Sequence, residues 1–334
     1  MKRISSLTLV IILVLSLAVG CSIKDNKKFV VGMITDTGSL GDQSFNDSAW
    51  YGLEKAKKDL KIEPKALESQ LADDYVPNLT RFAEEKVDLI IGVGYLFKES
   101  MKAVATQYPE QKFAVLDTIV DAPNVASLMF AGNEGSYLVG IAAGLATKTN
   151  KVGFIGGMQS TLIREFEYGF RAGVKAVNPN AEVFVQYADS FNDSARGKEI
   201  ALAQNSKGAD VIYHAAGGVG VGLIEAAEEK GFWAIGVDKD QSELAPKNVL
   251  CSMIKRVDVA TYEISKDVIE GKFQGGLKKY GISDEAIGYS DNAGNLPEDI
   301  KTAMEKHKQA IIDGKIVVPK VEEEFQAFKS PELR

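Results

Sequence analysis

Two phenylalanines, Phe45 and Phe191, sit in identical hexapeptides, Ser-Phe-Asn-Asp-Ser-Ala, at Ser44–Ala49 and Ser190–Ala195. Each copy follows an apolar run and leads into a helix-like segment. A phenylalanine in such a place can staple a helix start while its Asn or Asp neighbour caps free backbone N–H groups. Two such rings on facing edges of a cleft can instead close on both faces of a flat ligand. A base stacked on an aromatic ring gains roughly 1–3 kcal/mol.

The polar residues nearby suit the rest of such a ligand. Asp36, Asp117 and Asp238 each stand where a strand-like run ends. A carboxylate accepts paired hydrogen bonds, which suits a vicinal diol or ring N–H groups; a helix cap or an ion pair is the competing use. Lys255, in Ser-Met-Ile-Lys-Arg-Val-Asp, offers a donor expected near Asp238. The run Ala215–Gly222 (AAGGVGVG) lets backbone at Gly217 or Gly218 approach a ligand at a helix start. Asn46 falls within the first hexapeptide.

These residues need a frame that gathers strand ends. From Phe29 onward, short apolar runs alternate with helix-like segments: strands at Phe29–Thr35, Pro64–Glu68, Leu89–Val93, Lys112–Leu116 and Val125–Phe130. Such a rhythm signals a parallel sheet with helices on both faces. After the apolar helix EGSYLVGIAAGLA the rhythm restarts at Lys151, the mark of a second lobe of similar build. Helices are expected at 48–60, 257–273 and 297–316, with an acidic, extended tail after the last. The lobes are assigned as 29–134 plus about 258–295, and 135–257 plus about 296–325, with 326–334 as a tail. More than one crossover and a cleft between lobes follow. Ligands in open α/β sheets bind beyond the carboxyl ends of strands, which is where the candidate residues fall.

The stretches GMITDTGSLGDQSFNDSAWYGLEKA, EGSYLVGIAAGLA, GVDKDQSELAP and VLCSMIKRVDVATYE together resemble the basic membrane protein family of bacterial lipoproteins. These are purine nucleoside receptors of ABC importers. The resemblance implies a type I periplasmic-binding-protein fold, with two Rossmann-like lobes joined by a three-strand hinge. It implies that Phe45 and Phe191 sandwich the base and that Asp117 reads its polar edge. Asp238 and Lys255 would hold the ribose hydroxyls, Gly217 or Gly218 would give backbone contacts, and Asp36 and Asn46 would complete the rim. The implied ligand is adenosine, guanosine or inosine and the implied partner an ABC permease; the protein is expected to be a non-catalytic monomer without cofactor or metal.

The beginning of the chain adds a location. Lys2 and Arg3 precede an apolar run at Leu7–Val19, too short for a comfortable membrane span and suited to a secretory signal. It ends in LAVGC. The expected product is cleaved after residue 20 and acylated at Cys21, with 21–28 as a tether and the protein anchored by lipid on the extracytoplasmic face. Ala18 stands three residues before the cysteine, where leucine is the commoner residue in a lipobox. With Cys21 acylated, Cys251 has no disulfide partner and reads as a small buried hydrophobe.

Other classes fit poorly. The 334 residues carry a net charge of −7 and no basic stripe, against nucleic-acid binding. No glycine-rich run ends in Gly-Lys-Ser or Gly-Lys-Thr, and GGVGVGL has Leu223 where a dinucleotide fingerprint needs glycine. The two histidines, His214 and His307, lack zinc-site spacing. Asp73 and Asp74 read as a solvated turn, and the aromatic cluster REFEYGF as core. A sugar receptor of the same fold, a surface nucleoside-processing enzyme and a tethered sensor remain as alternatives.

Overall fold

The computed structural model describes residues 28–330; the signal segment, Cys21 and most of the tether lie outside the described residues. Two six-stranded sheets form the frame. In the first, the spatial order is β11, β5, β4, β3, β1, β2. Its strands are β1 (Val30–Ile34), β2 (Glu63–Leu67), β3 (Leu89–Gly92), β4 (Phe113–Leu116), β5 (Val125–Phe130) and β11 (Gly276–Tyr280). All its pairings are parallel. Strands β1, β3 and β4 are covered on both faces and read as unbroken apolar runs for that reason.

The second sheet runs β12, β10, β9, β8, β6, β7. It contains β6 (Lys151–Gly156), β7 (Glu182–Tyr187), β8 (Val211–Ala215), β9 (Trp233–Gly236), β10 (Val249–Lys255) and β12 (Ile287–Ser290). Here β12 pairs antiparallel with β10, and the other pairings are parallel.

The helices that matter to the site are few. α1 (Phe45–Leu60) follows β1, while α2 (Tyr75–Glu84) and α3 (Lys98–Gln107) cover the first sheet. The helix α4 (Gly132–Ala146) is buried along nearly its whole length and packs on α5 (Thr161–Val177). A side chain at Gly173 would place its Cβ 2.1 Å from the Tyr137 carbonyl, so the two backbones touch only because glycine is there. α6 (Ser194–Ser206) and α7 (Val219–Lys230) pack together over the second sheet, and α8 (Val257–Ile269) packs on α1 in the first lobe. The Thr261 hydroxyl donates to the Ala49 carbonyl at 3.0 Å across that contact. α9 (Glu298–Ile312) lies against α4.

The chain crosses between lobes three times: between β5 and α4, between β10 and α8, and between β11 and β12. The three linking segments are tied together. Ala131 N donates to Tyr280 O at 2.8 Å and Arg256 N to Ala286 O at 2.8 Å. The Glu134 carboxylate accepts the Ile282 N–H at 3.0 Å.

Three sequence expectations need correction, and one strand carries no sequence signal. Residues 287–290 form β12 on the second sheet, so the stretch to about 295 does not stay with the first lobe. The strand β11, Gly-Leu-Lys-Lys-Tyr, is an exposed sheet edge and lacks the apolar run that marks buried strands. The helix begun at Val257 ends at Ile269, with Gly271 in the left-handed region at φ +68°. The acidic tail is not extended but carries a short helix, α10 (Glu322–Ala327). Its Phe325 stacks on Tyr168 at 5.9 Å between ring centres, and the Arg171 guanidinium lies 4.4 Å from the same ring.

Candidate functional site

The strand ends of the two sheets meet across one cavity. Together with the open space at its mouth it spans about 530 Å³. Asp36, Phe45, Asn46, Asp117, Phe191, Gly217, Asp238 and Lys255 all line it. Gly218 does not: its N–H donates to the Phe191 carbonyl at 2.8 Å and so fixes the loop that carries the ring.

Asp117 and Asp238 occupy equivalent places. Each follows the third strand of its sheet, β4 in one and β9 in the other. Both adopt left-handed backbone, at φ +62° and +69°. Asp is one of the few residues that tolerate this conformation, and such positions turn a strand end sharply into a site. Between the two carboxylates lies Lys255, at the end of β10. Its Nζ pairs with Asp117, not with Asp238 as its sequence position suggested. Lys255 touches Asp238 through its backbone N–H, 3.0 Å from the Asp238 carbonyl, and through the charge itself.

The Asp238 carboxylate accepts instead from the Ser44 hydroxyl at 2.5 Å, across the cleft. Burial pushes the Asp238 carboxyl up, while the Lys255 charge and the Ser44 hydroxyl hold it down. Burial also raises Asp36, against hydrogen bonds from Asn46 and Gly38 and with the charges of Asp117 and Asp238 adding to the rise.

The rings approach from opposite lobes, and both are half-buried. Phe45 is the first residue of α1, earlier than the helix start expected at Ser48. Lys255 Nζ lies 4.4 Å from its ring centre and 5.1 and 5.7 Å from those of Phe130 and Phe166. Phe191 lies on the bare backbone of Gly157, where a Cβ would stand 2.3 Å from the ring. Tyr95 meets it edge-on at 6.4 Å.

The repeated hexapeptide does not adopt one local structure. In the first copy the helix begins at its Phe; in the second it begins at Ser194, three residues after Phe191. The residue two places upstream decides this. Asp42 precedes the first copy, and its carboxylate accepts from the N–H groups of Ser44, Asn46 and Asp47 at 2.8–3.1 Å, capping the helix early. Ala188 precedes the second copy, so Asp193 takes over as cap and accepts from Arg196 N at 2.9 Å.

The lobes also touch directly around the cavity. Gln241 Nε2 donates to the Gln43 carbonyl at 3.0 Å, Lys239 Nζ to Gln43 Oε1 at 3.3 Å, and Asn192 Nδ2 to the Thr37 carbonyl at 2.9 Å.

Sequence reasoning missed several lining residues. Asp42, Leu162 and Ile163 carried no signal beyond their place in a loop or at a helix start. Phe166, in a stretch with the spacing of a core helix, is buried while also facing the cavity. Tyr95 lies in a loop that the strand-end rule does flag. The Asp73–Asp74 pair is a turn: Asp74 accepts from Gln70 N at 2.8 Å and Leu71 N at 2.9 Å. Cys251 is buried and, among the described residues, unbonded.

A model of the PnrA-like family of ABC transporter substrate-binding proteins matches residues 29–322. The chain belongs to this family. A family relative, the ABC transporter nucleoside-binding protein BmpA of Lactococcus lactis subsp. cremoris, is 39% identical over 326 residues, covering 90% of this chain and 92% of its own. The CD4+ T-cell-stimulating antigen of Listeria monocytogenes is 44% identical over 319 residues, covering 89% of each. Among solved structures, an ABC transporter solute-binding protein of Aeropyrum pernix superposes with a TM-score of 0.82 at 30% identity, covering 90% of this chain and 96% of its own. The architecture is the type I periplasmic-binding fold.

Behind the family's cleft lies a buried histidine. His214, the fourth residue of β8, is fully buried, and its Nε2 sits 2.9 Å from Gln241 Oε1. That carbonyl accepts, so the proton belongs on Nε2. Burial pushes the imidazole down to about 4, against the Gln241 bond. The unfolded chain then takes up the proton first as pH falls below 6.5, and stability is lost from there down to about 4. From pH 7.5 to pH 5 this single group should cost about 2 kcal/mol. Urea unfolding at the two pH values should show a difference smaller by that amount in His214→Gln. An equal difference in both proteins would mean that His214 titrates normally.

Proposed function

We propose that this chain is the receptor of an ABC importer and that it binds purine nucleosides between its lobes. One observation carries the reading: half-buried rings from opposite lobes, Phe45 and Phe191, line a single cavity that also holds Asp117, Lys255 and Asp238. Two rings suit a flat base. The carboxylates and the ammonium suit the hydroxyls of a ribose and the N–H groups of a base edge. The printed name of the Lactococcus relative, a nucleoside-binding protein, supports the same ligand class.

The mechanism is hinge closure. Ligand that touches both lobes binds the closed state better and so shifts the population toward it. Ser44, Gln43 and Asn192 then complete direct bonds across the cleft, and the closed form is what the permease receives. Acylation at Cys21 would keep the receptor, as a monomer, at the extracytoplasmic face of the membrane beside that permease. No step in this scheme breaks a bond in the ligand.

The cavity wall carries Asp36, Asp42, Asp117 and Asp238 against the single charge of Lys255. A nucleotide phosphate would meet carboxylates in a confined space. A thermal-shift panel on the purified chain should therefore respond to adenosine, guanosine and inosine, and not to AMP, cytidine, glucose or calcium. Ligand at a hundredfold over its Kd stabilises by about 2.7 kcal/mol. Chromatography of the ligand afterwards should recover it intact. A response to glucose alone would make this a sugar receptor, AMP binding as tight as adenosine would remove the charge argument, and cleaved nucleoside would make it an enzyme.

A further inference from the structure

Asn46 is 1% exposed and lines the cavity. Both hydrogens of its side-chain amide are taken: Nδ2 donates to Asp36 Oδ1 at 2.9 Å and to Asp42 Oδ2 at 3.1 Å. Turning the amide over would place its oxygen against two carboxylates. The orientation is therefore fixed by the network, and Oδ1 is left as an acceptor with no partner among the described residues. Asp117 Oδ1 is a second buried acceptor without a donor.

Asp42 is what makes the lock rigid. Its Oδ1 accepts from Ser44 N at 2.9 Å and Asp47 N at 3.1 Å, and its Oδ2 from Asn46 N at 2.8 Å as well as from the amide. Each oxygen already receives two N–H groups, and these favour the ionised carboxylate against the burial that raises its carboxyl to about 7. Gly38 covers the network closely: a Cβ there would stand 2.9 Å from both Asn46 Nδ2 and Asp36 Oδ1.

We propose that Asp42 is a positioning residue for ligand selectivity: by locking the Asn46 amide with its oxygen unpaired, it makes the site demand a base that presents an N–H donor at its edge. The inference rests on the nucleoside reading above and adds the hydrogen-bond class of the base. A buried acceptor left unmet is costly, and a ligand that cannot donate leaves it unmet. Asp42 itself need not touch the ligand.

The test compares adenosine with purine riboside by calorimetry on the full chain. The two share the ribose and the ring system, but purine riboside has no N–H on its base. Purine riboside should bind about 10- to 100-fold more weakly. In Asp42→Asn, whose new amide cannot accept in the same way, and in Asn46→Leu, which removes the acceptor, the ratio should fall toward one. A residue that only caps the helix would lower affinity for both ligands alike and leave the ratio intact, and that outcome overturns the proposal. So does equal binding of the two ligands by the unaltered protein, which needs no variant to fold. Ribose hydroxyls as the only partners of these acceptors would also give a ratio of one. Absence of binding by any nucleoside would instead take down the functional reading on which this one stands.

Discussion

Lys255→Met should destabilise the protein by about 3–5 kcal/mol and abolish nucleoside binding. Lys255 and Asp117 side chains are each 3% exposed and pair directly. Removing the ammonium leaves the Asp117 carboxylate buried without its counter-charge, and Asp238 loses the charge that holds its carboxyl down. The lysine also lies among three rings, so its loss loosens Phe45 as well. The double variant Lys255→Met/Asp117→Leu separates structure from function. Replacing a buried ion pair with apolar side chains is often neutral or stabilising. Denaturant unfolding should therefore show most of the lost stability restored, while calorimetry still finds no nucleoside binding. If the single variant is as stable as the parent, the pair is not the buried pair described above. If the double variant binds, the pair belongs to the scaffold and not to the ligand.

Phe45→Ala and Phe191→Ala should each weaken nucleoside binding by roughly 1–3 kcal/mol, and the pair together should bring affinity below the range of ordinary calorimetry. The two rings differ in what else they do. Phe191 rests on Gly157 and meets Tyr95, both at the cleft edge, so its removal should cost little stability. Phe45 begins α1 and faces the Lys255 ammonium, so its removal should cost some. Phe45→Leu keeps an apolar side chain for packing and discards the flat face. Nucleoside affinity in that variant near the alanine value supports stacking. Affinity near that of the parent would return Phe45 to a stapling role, and the sandwich would lose one side.

Much of the frame follows from local chemistry. β1, β3 and β4 are buried on both faces, so each is written as an apolar run that needs no partner to be recognised. The restart at Lys151 reveals the second lobe because two similar sheets require two similar sequences of strand and helix. The strand-end rule then places Asp36, Asp117 and Asp238 together, because parallel strands bring all their carboxyl ends to one edge. The stretches that mark the family contain Phe45 and Lys255, while Phe191 is found through the second copy of the hexapeptide.

The rest is settled by contacts between distant residues. β11, Gly-Leu-Lys-Lys-Tyr, and β12, Ile-Gly-Tyr-Ser, lack a continuous apolar run and carry little strand signal, so the third crossover, expected at about 295, falls instead between them. Lys255 pairs with Asp117, 138 residues away, and not with the nearer Asp238, because β10 aims its side chain across the cleft while Asp238 is held by Ser44 of the other lobe. One hexapeptide takes two conformations because Asp42 caps the first copy and Ala188 cannot cap the second. The sequence determined that carboxylates, an ammonium and two rings would gather at strand ends, since that depends on strand direction and apolar pattern. Which acceptor is paired, which is left open and which lobe supplies each bond depend on the approach of two separately folded sheets, and only the tertiary structure decides that.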